Sequence, residues 1–130
     1  MKILPKKTAG ITLIASLLLL MIFHLLVALH ILPNNIVWGG SLDEKDVTTY
    51  ELIAFLITGL LLFFAIIRAG FIHNQTLQKI ARVLIWIMVL YFAFMIFGNL
   101  TAKTLTEKVI FIPLSILMLI SSFRLAIEKD

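Results

Sequence analysis

Four stretches of the chain are apolar almost without interruption, and short polar segments separate them. The first, Ile11 to Leu32, is broken only by Thr12, Ser16, His24 and His30. The second runs from Leu52 to Ile67 and extends to about Thr48 and Ile72, the third from Val83 to Leu100, and the fourth from Val109 to Phe123. Crossing a hydrocarbon layer of about 30 Å takes about 20 helical residues, so each run crosses once its flanks are counted. Lipid offers backbone amides and carbonyls no partner, and a helix satisfies its own. The pattern therefore predicts helices over about residues 9–32, 48–72, 80–102 and 106–125. It is all-α: one transmembrane domain spanning 1–130, an integral membrane four-helix bundle of two antiparallel hairpins.

Composition excludes the competing classes. With 62% hydrophobic and 14% charged residues in 130, and a mean hydropathy of +1.11, the chain is far more apolar than a soluble domain, in which about half the residues are apolar. The basic leader Lys2, Lys6 and Lys7 imitates a secretory signal. The run that follows exceeds the usual apolar region of about 7 to 15 residues and lacks a small-x-small cleavage site, so an uncleaved span is expected. A net charge of +4 raises the question of nucleic acid. The basic residues sit at helix ends, however, without the stripe and interleaved aromatics of a nucleic-acid surface, and no nucleic-acid partner is expected. Zero cysteines exclude a disulfide, a thiol oxidoreductase and a cysteine-ligated iron–sulfur centre. No Lys or Asp falls within the apolar runs, which leaves a Schiff-base cofactor or a central acidic proton carrier without support. Neither metal nor cofactor is expected.

Charge placement gives a direction. Lys2, Lys6, Lys7, Arg68, Lys79, Arg82, Arg124 and Lys129 fall on one side, eight against Lys45, Lys103 and Lys108 on the other. By the positive-inside rule both termini are expected in the cytoplasm, in a multi-pass membrane protein. Arg68, His73, Lys79 and Arg82 then form an inner collar suited to anionic headgroups. Thr48-Thr49-Tyr50-Glu51 and Thr104-Leu105-Thr106-Glu107 both match a capping box and place helix starts at the outer ends. The two hairpins thus read as a weak pseudo-repeat. Pro113 kinks the fourth helix if Thr104 caps it, or sits in the first turn if the helix starts near Val109.

Few polar groups remain to carry chemistry, and most gather toward the outer leaflet. His24 lies about 12 Å below the outer end, counting back from Leu32. An imidazole at that depth faces the bundle, either in a hydrogen bond to Asn99 or a serine, or as a proton shuttle or ligand-holding group. Glu51 either completes the capping box at a solvated surface or turns inward with Thr58, seven residues on along the same face, to meet His24. His30 is expected at the interface; about 120° around the helix from His24, it cannot share a metal with it. Asn99 follows Gly98, whose small size admits a neighbouring helix. The loop from Pro33 to Asp46 carries Ile36-Val37-Trp38-Gly39-Gly40 and reads as an interfacial anchor or a lid over the polar cluster, ahead of a solvated acidic run. The ligand-binding candidates are His24, Glu51, Asn99 and Trp38, with His30 and Thr58 weaker.

The residues His24…His30-Ile31-Leu32-Pro33…Ile36-Val37-Trp38-Gly39-Gly40, Tyr50-Glu51 and Gly98-Asn99-Leu100…Glu107…Pro113-Leu114-Ser115 resemble a family of small uncharacterised four-helix bacterial integral membrane proteins. The likeness covers most of the chain. It implies the topology and the choice of candidates, and no reaction. Small multidrug transporters are of similar size, but the first helix here lacks their membrane-embedded glutamate, which argues against antiport. The leading expectation is a polar pocket near the outer leaflet that binds a small molecule or lipid headgroup. One alternative is an accessory subunit, homo-oligomeric or docked on a larger membrane partner through faces such as Ala65-x-x-x-Ala69. The other is an enzyme on a lipid-soluble substrate with His24 and Glu51 as its acid–base pair.

Overall fold

The computed structural model describes residues 4–37, 40, 42–101 and 104–129. Helix α1 spans Lys6–Ala28, α2 Glu44–Arg68 and α3 Gln75–Leu100, and a widened π turn over Glu107–Phe111 runs directly into α4, Ile112–Ala126. A 3₁₀ turn, Asn34–Ile36, interrupts the first connection. The four candidate spans, of 23, 25, 26 and 20 residues, are all long and apolar enough to cross a membrane. Packing is closest between α1 and α2 and between α3 and α4, and the α1–α4 and α2–α3 contacts close the ring. The protein is an integral membrane four-helix bundle of two antiparallel hairpins. Its terminal end carries both chain termini and the α2–α3 turn; its distal end carries the other two connections.

Inward positions follow the helical period. Leu13, Leu17 and Leu20 of α1 meet Ala65 of α2, Ile85, Met88 and Phe92 of α3, and Met118 and Leu125 of α4. Leu19, Leu56, Leu90 and Phe94 point outward and are 62–72% exposed, as a hydrocarbon solvent permits. Apolar burial gives little drive for association in lipid, so close packing must supply it. Gly10 provides the closest approach: a Cβ there would lie 2.7 Å from the Cβ of Ala69. Ala65 is fully buried. The Ala65-x-x-x-Ala69 face is thus consumed within the α1–α2 pair and is not a surface for a partner.

Helix ends depart from the expected boundaries for identifiable reasons. α1 ends at Ala28, four residues early, in a Schellman motif: His30 N donates to Val27 O (3.0 Å) and Ile31 N to Leu26 O (3.0 Å). The motif needs a left-handed residue, normally glycine, and His30 takes that role at φ 62°. α2 closes the same way, with Gly70 at φ 99°, Gly70 N on Ile67 O (3.1 Å) and Phe71 N on Ile66 O (3.3 Å). α2 starts four residues early, at Glu44, because Glu44 and Asp46 in its first turn complement the helix dipole. The acidic run expected in solvent is therefore partly helical. α3 begins at Gln75, where the Asn74 side chain accepts from Leu77 N at 3.0 Å.

Thr104 Oγ1 accepts from Glu107 N (3.3 Å) and donates to Ile36 O (3.1 Å). It caps the fourth helix, as expected, and also ties it to the first connection. Pro113 therefore lies well inside the helical segment. Its missing N–H and its ring would disrupt an α turn against Val109 O, and the i→i+5 turn just before it takes up the mismatch.

The terminal end is stitched by side chains that serve carbonyls. Arg68, 1% exposed, donates from Nε to Leu125 O (3.0 Å) and from Nη2 to Glu128 O (2.5 Å). Arg124 donates to Leu4 O (2.7 Å) and to the Glu128 carboxylate (2.5 Å). Gln78 Nε2 donates to Ile67 O at 2.5 Å. Arg68 was expected in a collar facing headgroups; instead it turns inward and caps α4 with positive charge at the negative end of the helix dipole.

Two outcomes follow for stability. Gly10→Ala should destabilise the bundle by about 1–3 kcal/mol, the usual cost of overpacking a tight contact, read as a lower thermal midpoint in detergent. Glu128 lies beyond the spans, and its carboxyl is held below the ordinary carboxylate range, first by the hydrogen bond from Arg124 and then by the Arg124, Lys6 and Arg68 charges, which together outweigh its desolvation by burial. A depressed value gives stability that is present above the ordinary carboxylate pKa and lost as pH falls through the folded one. Stability curves of wild type and Glu128→Gln should accordingly diverge at neutral pH and converge below about pH 4. Parallel curves throughout would remove this contribution.

Candidate functional site

The central contact of the distal end joins α1 to α2. His24 Nδ1 lies 2.5 Å from Glu51 Oε2, with Glu51 1% exposed and the His24 side chain 14% exposed. α1 brings His24 here because it ends at Ala28, which leaves His24 only about 6 Å, four residues, below the helix end rather than 12 Å. α2 brings Glu51 here because its early start places Glu51 two turns inside the helix, on the face that also buries Val47 and Thr58. The capping role expected for Glu51 is thus overturned: Asp43 holds the N-cap position, and Thr48 Oγ1 donates to Glu44 O at 3.0 Å. Nor is its charge at a solvated surface.

A carboxylate only accepts, so an ionised Glu51 fixes the imidazole with its proton on Nδ1. Nε2 is then an acceptor, and it makes no hydrogen bond among the described residues. This is how a carboxylate orients a histidine whose other nitrogen serves a ligand or a proton. Around the pair, Phe23 stands edge-on to His24 at 6.0 Å and to Phe111 of the π turn at 4.9 Å. Val27, Val37 and Val47 form a small core beside it, with Phe23, Ile36 and Phe111 packed against them. Val37, 3% exposed, together with the Thr104 bond to Ile36, shows that the first connection folds down onto the bundle.

The remaining candidates divide. Thr58 shares the buried face but donates to Ala54 O of its own helix at 2.7 Å. His30 leaves the helix altogether; its Nε2 contacts Thr48 Oγ1 (3.0 Å) and its Nδ1 lies 3.5 Å from Glu44 Oε1, at the exposed start of α2. Asn99 is half-buried near the end of α3, and its side chain makes no hydrogen bond among the described residues, so it is not joined to His24. The close approach expected at Gly98 is absent, with nothing within 4 Å of a Cβ built there. Trp38 lies outside the described residues, and with it the expected aromatic lid.

Two buried groups were not foreseen as part of this end. Glu107, 7% exposed, was read only as a capping residue. It sits one turn above Ile110 and Phe111, and the signal was available in its position at the head of an apolar helix face. Ser115 is fully buried, and its hydroxyl has no partner among the described residues. No group of three or more His, Cys, Asp or Glu among the described residues is placed to hold a metal.

Breaking a buried pair leaves the survivor without its partner, at a cost of about 3–5 kcal/mol. His24→Leu and Glu51→Leu should each destabilise strongly, while the double variant should lose much less than the sum. A double-mutant cycle in detergent with a coupling energy above about 1 kcal/mol checks this; an additive result would disconnect the two. Comparison with known protein families, curated proteins and solved structures yields no match, so the functional reading rests on this geometry.

Proposed function

We propose that the protein is a multi-pass component of the bacterial inner membrane, with both termini in the cytoplasm, whose outer-leaflet pocket binds a small molecule or lipid headgroup at the His24–Glu51 pair. One observation carries the reading: a buried carboxylate holds a half-buried imidazole across two helices, and Nε2 makes no hydrogen bond among the described residues. Ionisable groups inside membrane spans are costly and are retained chiefly for binding or proton transfer. Interhelical hydrogen bonding alone needs no charged residue, since serine or asparagine contributes as much. The orientation is supported by the excess of Lys and Arg at the terminal end.

The same free nitrogen favours a second reading, an enzyme on a lipid-soluble substrate. A histidine oriented by a carboxylate is placed to take a proton through Nε2, with Glu51 stabilising the imidazolium that forms.

Native mass spectrometry of the purified protein provides the test. A bound mass should be retained by wild type and lost in His24→Ala and Glu51→Gln while circular dichroism shows the helices intact. A bare wild-type chain, or retention by both variants, would refute the binding site. Because the chain has no cysteine, single cysteines placed at residue 42 and residue 129 should react with an impermeant maleimide from the periplasmic and cytoplasmic side respectively.

A further inference from the structure

Two features on the lipid-facing side of α3 have no explanation within the chain. The first is Tyr91, which lies nine residues from Arg82 and nine from Leu100. It is therefore about 13 Å from either, at the middle of a hydrocarbon layer about 30 Å thick. Tyrosines in membranes favour the headgroup level, where the hydroxyl stays wet. Tyr91 is 43% exposed within a candidate span, so the medium it meets is hydrocarbon, and its hydroxyl makes no hydrogen bond among the described residues. A hydroxyl in such a medium is costly until it finds a partner.

The second feature is Gly98. Glycine weakens a helix interior relative to alanine. Two other helical glycines have a packing reason: a Cβ at Gly10 would lie 2.7 Å from Ala69 Cβ, and one at Gly59 would lie 3.2 Å from Met21 Cε. At Gly98 nothing lies within 4 Å. What this glycine makes room for is outside the chain.

Tyr91 and Gly98 are two turns apart on one face, and they belong to a longer row. Ile80, Leu84, Ile87, Tyr91, Phe94 and Gly98 follow one another at alternating intervals of four and three residues, the spacing of the seam between two helices of a left-handed pair. Ile80, Ile87, Tyr91 and Phe94 are exposed and Leu84 is half-buried, so the seam is open to lipid along most of α3. A second copy of the chain fits it best. The same charge asymmetry inserts every copy in the same orientation, so two α3 helices meet in parallel, and two-fold symmetry sets each seam residue against its own counterpart at the same depth. Tyr91 then faces a hydroxyl at mid-membrane, and a phenol both donates and accepts. Gly98 faces Gly98, where the absent side chains let the backbones approach. A lipid chain offers no hydroxyl at that depth.

We infer that the protein is a parallel homodimer in the membrane, joined through α3 along the Ile80–Gly98 seam, with the two Tyr91 hydroxyls paired across the symmetry axis. The seam is on α3 and the His24–Glu51 pair joins α1 to α2, so dimerisation does not depend on ligand binding there.

Förster transfer tests this with purified chains carrying donor or acceptor on a cysteine at residue 129, reconstituted in phosphatidylcholine vesicles and diluted with increasing lipid. Wild type should show transfer beyond that of random proximity, falling at high dilution as dimers dissociate. Tyr91→Phe should weaken association by about threefold to tenfold, the scale of one interhelical hydrogen bond in a membrane. Gly98→Ile should abolish association, and both variants should keep the helical circular dichroism of wild type. Because the chain has no cysteine, Phe94→Cys should give an oxidised dimer in the same vesicles, whereas Leu56→Cys, on α2 and as exposed (70% against 72%), should not. A wild type that is monomeric at every dilution, unchanged association in either variant, or equal cross-linking at residues 56 and 94 would overturn the inference.

Discussion

The constraint behind most of this structure is the absence of water around the backbone. Every amide and carbonyl within the membrane must find a protein partner, which makes the spans helical and concentrates the difficulty at their ends. The protein meets it with side chains borrowed from other elements. Arg68 of α2 serves the last turn of α4, Gln78 of α3 serves the last turn of α2, and Arg124 of α4 holds Leu4 ahead of α1. Each such bond ends one helix and fixes its position against another. The terminal end is consequently cross-linked through the guanidinium groups of Arg68, which is buried, and Arg124, which is half-buried.

The distal end solves the same problem with backbone geometry and leaves its polar side chains for other purposes. His30 closes α1 by adopting a left-handed conformation, and Thr104 ties the head of the fourth helix to Ile36. With the helix ends satisfied in this way, His24 and Glu51 are left to engage each other across the helix pair. A pair engaged through one imidazole nitrogen, within a core of valines and aromatic rings, is the arrangement in which a second nitrogen gains most from a ligand, because the low local dielectric strengthens whatever bond it makes.

Much of this was legible in the sequence, because the bilayer restricts what an apolar run can do. The four helices, the antiparallel hairpins and the Thr104 cap follow from hydropathy, charge placement and local motif, whereas the meeting of His24 with Glu51 was one of two alternatives that helical phase left open. The failures have a common cause, which is that a motif was read locally where a longer-range term decided. Thr48-x-x-Glu51 matches a capping box, yet Glu44 and Asp46 extend the helix upstream and turn Glu51 inward. Arg68 was counted as a collar residue by its charge, but four unsatisfied carbonyls at the end of α4 offered it a better place than water. Gly98 was read as a contact by its size, and no helix comes near it. Asn99 accordingly bridges no helices among the described residues.

Pro113 shows how one residue links backbone chemistry to the shape of the site. A proline this far inside a helix removes a donor and crowds the carbonyl four residues earlier, and lipid supplies no substitute. The π turn at Glu107–Phe111 resolves the conflict by widening the helix one turn before the proline. Beside that turn Glu107 is buried, the Phe111 ring meets Phe23, and an apolar groove lies between α1 and α4. The proline's missing amide proton thus accounts for the π turn that precedes it.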